Sequence, residues 1–204
     1  MNTKEAILLE SLRLFSRRGY EAVSVRDIAK QLGITQGALY KHYSSKQDIF
    51  DSIVNRMRDN DLERAQMYEL PEGSFLEMAE AYGNTQMEQI IHFTEAQFRY
   101  WTEDEFASSF RKMLTIEQYH NPEMNALYQQ YLASGVVGYV EDLFREISQQ
   151  RDRKWDNPKQ LALEFYAPIY MLMNLYDGNE NKEEAISQVR NHIDYFMQAM
   201  EEKQ

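Results

Sequence analysis

The stretch from residue 24 to residue 43 constrains the fold most, because it carries start and stop signals for two short helices. Ser24 is a suitable N-cap, and Asp27, three residues later, completes a capping-box pattern. Gly33 supplies the left-handed residue that often follows the end of a helix. Thr35 can then cap a second helix, predicted to run to about the end of the stretch. Two short helices joined by such a turn form a helix-turn-helix.

The residues of this stretch divide into an apolar face and a polar face. The apolar face, which is expected to pack inward, comprises Val25, Ile28, Ala29, Leu32, Ile34 and Leu39. The polar face of the second helix comprises Gln36, Gly37, Ala38, Tyr40, Lys41 and His42. Because Ala29 is small, the two helices can cross closely, and the pattern indicates a packed pair with one exposed side.

The polar face has the chemistry of a helix that reads the major groove of DNA. Such a helix needs short or donor-bearing residues at its leading end and groups that reach phosphates behind them. Gln36 suits an adenine edge and Ala38 suits a thymine methyl group, while Tyr40, Lys41 and His42 suit phosphates. A small helical hairpin with an exposed polar side would show a similar pattern, so the motif alone leaves both interpretations open.

Gly37 is an unusual choice inside a helix. Glycine in a helix interior costs about 1 kcal/mol relative to alanine. A close approach of the backbone to DNA is one reason to keep a glycine there. We therefore include Gly37 among the residues expected to face DNA.

The sequence on both sides of the motif carries further helical signals. An upstream helix ends at Arg17-Arg18-Gly19-Tyr20, and Ser45 can cap another helix that starts at Lys46. Together these residues closely resemble the DNA-binding domain of the tetracycline-repressor (TetR) family of regulators. The matching positions are Ile7, Leu14, Phe15, Gly19, Tyr20, Ser24, Val25, Ile28, Ala29, Gly33, Gly37, Leu39, Tyr40, His42, Tyr43 and Lys46.

The resemblance implies both an architecture and a function. It implies an all-α protein in which residues 1–46 form a three-helix, helix-turn-helix DNA-binding domain and residues 47–204 form a helical ligand-binding and dimerisation domain. It also implies a transcriptional regulator, expected to be a repressor, that binds a pseudo-palindromic double-stranded DNA operator as a homodimer and is released by a small-molecule effector. The predicted DNA-binding residues are Ser24, Arg26, Thr35, Gln36, Gly37, Ala38, Tyr40, Lys41, His42 and Lys46.

The distribution of charge agrees with a DNA-binding N-terminal segment. The whole chain carries a net charge of −11, which by itself disfavours a polyanionic partner. Residues 1–58, however, carry ten Lys or Arg against six Asp or Glu, a net charge of +4, and the remainder carries −15. Because surface charges are screened beyond about 8 Å at physiological salt, a basic segment can bind DNA although the rest of the chain is acidic.

Composition narrows the class of protein further. The chain has 204 residues, with only eight Gly and four Pro, which favours an all-helical fold large enough for a sizeable core. The absence of cysteine excludes disulfides and thiolate sites and suits a cytoplasmic location. The N-terminus lacks an apolar signal segment, and the longest uncharged apolar run, 165–176, is shorter than the roughly 20 residues of a membrane helix, so we expect no membrane association.

The C-terminal part of the chain is predicted to be a series of helices. The predicted ranges are 45–67, 75–101, 104–120, 123–150, 158–176 and 182–202, with loops at 70–74 and 151–157. The motif Gly135-Val-Val-Gly138 inside the fourth of these helices fits a close helix crossing better than a nucleotide-binding GXXG loop. Helix 158–176 is apolar nearly all round and should be covered on both sides, so helices 158–176 and 182–202 are predicted to form the homodimer interface. Two ordinary core helices of a monomer are the alternative.

Aromatic and methionine side chains are abundant in these helices. At helical spacing such residues are usually core, but they also line adaptable pockets for apolar or cationic ligands. The family resemblance implies such a pocket between the middle helices, and no cofactor is expected. The predicted ligand-binding residues are Tyr82, Gln86, Phe98, Trp101, Phe110, Met113, Tyr128, Tyr166 and Tyr170.

No catalytic or metal-binding pattern is recognisable in the sequence. The four histidines are widely separated, and the chain has no HExxH, no GxSxG and no phosphate-binding glycine loop. We therefore predict that the protein is not an enzyme and holds no metal. Two other readings stay open at this point: an all-helical small-molecule carrier or enzyme without DNA binding, and a protein-interaction scaffold.

Overall fold

The computed structural model describes residues 3–67, 87–150, 157–178 and 181–202, and every regular element in these ranges is an α-helix. The predicted all-α fold class is confirmed. The N-terminal helices are α1 (Thr3–Arg18), α2 (Val25–Gln31), α3 (Gln36–Tyr40) and α4 (Lys46–Met67). The remaining helices are α5 (Met87–Glu103), α6 (Glu105–Glu117), α7 (Pro122–Leu132), α8 (Ser134–Gln150), α9 (Pro158–Gly178) and α10 (Lys182–Glu202).

The described residues fall into two compact units. The first contains 3–67 and 105–128, and the second contains 87–104, 129–150, 157–178 and 181–202. The packing unit that contains the N-terminal helices therefore also includes α4, α6 and most of α7. The predicted division into domains 1–46 and 47–204 remains a prediction.

The first unit is built around α1, which packs against α2, α4 and α6. Ile7, Leu12 and Phe15 lie on one face of α1 and are almost fully buried. On α4, Ile49, Phe50, Ile53 and Met57 are buried in the same way. Each fully buried side chain of this kind contributes roughly 1.5–3 kcal/mol. This burial holds α1 against α2 and α4, and α2 in turn packs against α3.

In the described part of the second unit, apolar side chains form two clusters. One joins α5, α9 and α10 and comprises Ile91, Phe98, Ile169, Met173, Tyr176, Ala185, Ile186, Val189 and Ile193. The other joins α8, α9 and α10 and comprises Val140, Phe144, Ala162, Phe196 and Met200. Arg190 of α10 also forms a bidentate ion pair with Glu95 of α5, at 2.8 and 3.1 Å.

Most predicted helix limits agree with the structure to within a few residues. The ranges predicted as 45–67, 104–120, 158–176 and 182–202 correspond to α4, α6, α9 and α10. Pro168 lies inside α9 without ending it. The predicted loop 70–74, the start of the helix predicted from residue 75, and most of the loop predicted at 151–157 lie outside the described residues.

The prediction of one continuous helix over 123–150 is wrong. The helix is interrupted at Ala133, which lies between α7 and α8. At the break the Gln130 carbonyl oxygen lies against the position that a Cβ of Gly135 would occupy and leaves no room for a methyl group. The Tyr166 hydroxyl donates to the Leu132 carbonyl at 3.0 Å, which satisfies one of the free acceptors at the end of α7. The glycine at position 135 therefore allows the backbone to turn tightly against Gln130, rather than allowing two helices to cross closely.

None of the helices that the structure describes is long and apolar enough to cross a membrane.

The break between α7 and α8 leads to a test of stability. We expect Gly135→Ala to lower the free energy of unfolding by about 1–3 kcal/mol, because the new methyl group would overlap the Gln130 carbonyl. Gly138→Ala is the matched control, since nothing lies within 4 Å of its Cβ position, and alanine there should be neutral or slightly stabilising. Urea unfolding of both variants measures the difference, and equal stabilities would contradict this account of the break.

Candidate nucleic-acid interface

The first helix of the motif is fixed by its caps. The Ser24 hydroxyl accepts from the Asp27 amide at 3.2 Å, and the Asp27 carboxylate accepts from the Ser24 amide at 2.9 Å, so the predicted capping box is present. At the other end, Gly33 has a φ of +67°, which is the left-handed conformation predicted for it. The Ile34 amide then donates to the Ala29 carbonyl at 3.0 Å and closes the turn.

The second helix of the motif, α3, is short and is held by its inner side. Thr35 is its N-cap, with the hydroxyl accepting from the Ala38 amide at 3.1 Å. Leu39 is completely buried, and Tyr43, just after the helix, is also buried and donates to the Lys4 carbonyl at 3.3 Å. The helix ends at Tyr40 rather than near Tyr43, because the chain turns inward to bury Tyr43.

All ten predicted DNA-binding residues lie in the first unit, in or beside this motif. The exposed ones are Ser24, Arg26, Thr35, Gln36, Gly37, Tyr40 and Lys41, and the half-buried ones are Ala38, His42 and Lys46. Tyr40 exposes half of its surface. The polar face of α3 is therefore available to a partner, whereas Leu39 beneath it belongs to the core.

No steric contact within the described residues requires glycine at position 37. A Cβ there would meet only the Thr35 hydroxyl oxygen, at 3.9 Å, which is an ordinary contact. Helix propensity would favour alanine at such a position by about 1 kcal/mol. The predicted role of Gly37 in a close approach to DNA remains a prediction.

Lys46 makes contacts within the protein as well as lying near the predicted DNA surface. Its ammonium group donates to the Tyr20 carbonyl at 3.0 Å and lies 4.1 Å from the centre of the Tyr20 ring. It is also 4.0 Å from the Glu21 carboxylate. Lys46 therefore holds the turn between α1 and α2, a structural role that the sequence analysis did not predict.

Tyr20 lies in the same turn, and its side chain is buried. Its ring contacts the rings of Phe15 and Phe50, and its hydroxyl donates to the Gln47 side-chain oxygen at 3.0 Å. Burial and, secondarily, the nearby carboxylate of Glu21 raise the pKa of Tyr20 to about 12. The phenol therefore stays protonated and remains a hydrogen-bond donor at physiological pH.

A second contact to this turn comes from α6. The Glu117 carboxylate at the end of α6 is buried, and its Oε1 atom accepts from the Glu21 amide at 3.5 Å. Gly19, with a φ of +83°, lies directly against the same oxygen. The sequence analysis missed Glu117, because a single glutamate near a helix end looks like an ordinary surface residue.

The predicted ligand-binding residues are distributed over both units. Phe110, Met113 and Tyr128 lie in the first unit, Phe98, Trp101, Tyr166 and Tyr170 lie in the second, and Tyr82 and Gln86 lie outside the described residues. In the second unit the Trp101 and Tyr131 ring centroids are 6.3 Å apart, and those of Tyr166 and Tyr170 are 6.2 Å apart. The predicted pocket remains a prediction.

In the described ranges, no group of three or more His, Asp or Glu side chains is placed to hold a metal ion.

Comparisons with known proteins identify the motif. Residues 7–53 match the model of the tetR family of bacterial regulatory proteins. The transcriptional repressor BepR of Brucella suis is 45% identical over 56 residues, covering 28% of this chain and 27% of the relative. The transcriptional repressor KstR2 of Mycobacterium tuberculosis is 33% identical over 106 residues, covering 48% of this chain and 53% of the relative. The chain thus spans between about a quarter and a half of the length of these curated relatives.

A solved structure extends the similarity of fold to nearly the whole chain. A proposed transcriptional regulator from Saccharomonospora viridis, solved in complex with choline, superposes with a TM-score of 0.64 at 22% identity and covers 96% of this chain and 95% of its own. The fold is all-helical in the described residues, with a helix-turn-helix near the N-terminus. The match of residues 7–53 to the tetR family model agrees with the resemblance of the first quarter of the chain.

The capping box of α2 leads to a pH-dependent prediction. Hydrogen bonds from the Ser24 hydroxyl and amide lower the pKa of Asp27 from its ordinary value of 3.8. Ionised Asp27 therefore stabilises the folded state above about pH 4, and this contribution is lost as the pH falls through the lowered pKa. We expect Asp27→Asn to unfold with a weaker dependence on pH than wild type between about pH 5 and pH 2. Urea unfolding at successive pH values measures this, and identical pH profiles would contradict it.

Proposed function

We propose that this protein is a ligand-responsive transcriptional repressor that binds a pseudo-palindromic operator as a homodimer and is released by a small-molecule effector. The observation that carries the proposal is the exposed polar face of α3, in a segment that matches the tetR family model. Leu39, on the inner side of the same helix, is completely buried. Both curated relatives named above are transcriptional repressors. A DNA-binding role also makes the cytoplasm the expected location.

In the proposed complex, α3 enters the major groove. Gln36 and Ala38, at the leading end of the helix, contact base edges, because a glutamine can bind an adenine edge and a small methyl group can contact thymine. Gly37 allows the backbone to come close to the DNA. The remaining contacts are with phosphates, which fix the position of the helix but carry no sequence information. The residues proposed to contact phosphates are Ser24, Arg26, Thr35, Tyr40, Lys41, His42 and Lys46.

The arrangement of charge supports binding through one end of the chain. Residues 1–58 carry a net +4 and the remainder −15. Lysine and arginine side chains that neutralise phosphates release counterions, which gives affinity that falls steeply with salt. The acidic remainder of the chain is repelled by DNA, so approach through the wrong surface is disfavoured.

The surface of α9 supports a homodimer. Leu163, Ala167, Met171 and Leu175 follow each other at four-residue intervals and are all exposed, with Met171 at 59% and Leu175 at 57%. On α10, Tyr195 is 75% exposed. An apolar stripe of this kind on a helix usually marks an interface. We propose that it packs against the same stripe of a second copy, which places two copies of α3 in successive major grooves.

We propose that an organic effector is bound by aromatic side chains of the second unit. The solved regulator from Saccharomonospora viridis contains choline, a cation of the kind that aromatic faces attract. Trp101, Tyr166 and Tyr170 are the described aromatic residues of the second unit that we assign to this site. An effector releases DNA only if it binds the non-binding conformation more tightly, and a shift from 99:1 to 1:99 requires about a 10⁴-fold preference.

Lys41 gives the cleanest test of DNA docking, because its side chain is exposed. We expect Lys41→Ala to weaken binding about equally for all DNA sequences and to reduce the salt slope of the binding constant by about 1. The measurement is fluorescence anisotropy with labelled duplex at several salt concentrations. Lys159→Ala on α9 is the matched control for loss of one positive charge, and it should leave the slope unchanged.

Gln36→Ala is the matched variant for sequence reading. It should change which duplexes are preferred while leaving the salt slope nearly intact, because a base contact is worth roughly 1–3 kcal/mol of discrimination but neutralises no phosphate. If Lys41→Ala had the same salt slope as wild type, as the control Lys159→Ala should, the proposed docking of α3 would be wrong.

The dimer proposal has its own test. We expect the double variant Met171→Glu and Leu175→Glu to be monomeric, because it would place two carboxylates in an apolar interface on each subunit. Leu62→Glu on α4, which alters an equally exposed leucine, is the control and should remain dimeric. Sedimentation equilibrium measures the mass of each, and a wild-type monomer or a dimeric double variant would contradict the assignment to α9.

A further inference from the structure

Glu117 is the buried charged side chain with the least complete set of partners in the described residues. It exposes only 3% of its surface, at the last position of α6. Its Oε2 atom is buried and has no hydrogen-bond partner, and its Oε1 atom accepts only a long bond of 3.5 Å from the Glu21 amide. Buried carboxylates normally acquire several partners, because losing water without them is unfavourable. Its position therefore calls for an explanation other than stability.

The carboxylate lies against the glycine that ends α1. Gly19 has a φ of +83°, and a Cβ at this position would come within 2.5 Å of Glu117 Oε1 and 3.4 Å of the Ile116 side chain. Glycine is thus required here twice, once for the backbone conformation and once for the approach of the carboxylate. The backbone at the end of α1 therefore lies directly against the Glu117 and Ile116 side chains at the end of α6.

The same turn is held from the other side by α4. Lys46 donates to the Tyr20 carbonyl at 3.0 Å, and the Tyr20 hydroxyl donates to Gln47 at 3.0 Å. The turn 19–21 therefore lies between α4 and the Glu117 carboxylate. The capping residue of α2, Ser24, follows only three residues after Glu21, so the position of this turn sets the start of the helix-turn-helix.

We propose that Glu117 is a positioning residue for DNA binding, which acts by holding the turn 19–21 and through it the orientation of α2 and α3. The inference rests on the proposed DNA-binding function. Phe110 and Met113, predicted to contact the effector, lie on the same helix as Glu117. A displacement of α6 along its axis would move the carboxylate against or away from Gly19.

The test compares two glycines that share a left-handed conformation. Gly19→Ala introduces both backbone strain and a clash with Glu117, whereas Gly33→Ala, with a φ of +67° and nothing within 4 Å of its Cβ position, introduces strain alone. Each substitution is made in wild type and in Glu117→Ala. We expect Glu117→Ala to relieve much of the effect of Gly19→Ala and none of the effect of Gly33→Ala, since only neighbouring positions are coupled.

Two measurements are made on the full chain. Hydrogen exchange of the free protein reports on the amides of residues 19–24, with those of α9 as an internal reference. Glu117→Ala should accelerate exchange in this turn about tenfold relative to α9, while Glu117→Gln, which retains an acceptor for the Glu21 amide, should have a smaller effect. Fluorescence anisotropy with a random-sequence duplex at low salt should show DNA affinity reduced about tenfold by Glu117→Ala and largely retained by Glu117→Gln.

The outcomes separate this inference from the function on which it rests. Equal effects of Gly19→Ala in both backgrounds, exchange accelerated uniformly across the first unit, or unchanged DNA affinity in Glu117→Ala would each overturn the positioning role. If wild-type protein did not bind the duplex, the proposed function would fail, and the exchange data would still decide whether Glu117 holds the turn.

Discussion

The burial of Leu39 and Tyr43 beneath α3 is the constraint on which the rest of the account depends. A five-residue helix has no stability of its own, because the cost of nucleation exceeds what so few hydrogen bonds return. α3 exists because Thr35 caps it and because it packs against α2 with the Leu39 side chain completely buried. The residues of α3 that are not buried then form a polar surface held in a fixed position. A fixed position is what a helix needs to distinguish one base sequence from another.

The N-terminal motif was predictable from sequence because its determinants are local. The capping box of Ser24 and Asp27, the left-handed Gly33 and the Thr35 cap each act over three or four residues, and all are present in the structure. The all-α fold class was also predicted correctly, and residues 7–53 match the tetR family model in agreement with the predicted resemblance. The exposed side of α3 followed from helical periodicity, although which of its residues contact DNA remains a prediction.

Features that depend on contacts between distant residues were not predictable in the same way. The break at Ala133 arises because Gly135 lies against the Gln130 carbonyl and Tyr166, far along the chain, bonds to Leu132. Periodicity continues through the break, so the sequence indicated one helix. Likewise, Glu117 contacts Gly19 and Glu21, which are almost a hundred residues away in the sequence. No local sequence pattern predicts a contact of that kind. Lys46 was predicted only as a DNA-binding residue, yet its ammonium group also donates to the Tyr20 carbonyl.

The central claim is that two copies of α3, held by one dimer, read two half-sites of a DNA duplex. The most direct measurement is to select bound duplexes from a random library with the wild-type protein and to sequence them. The account predicts an enriched inverted repeat whose half-sites lie about one helical turn, or a multiple of it, apart. Selection of no sequence, or of a single half-site without its symmetric mate, would contradict the claim.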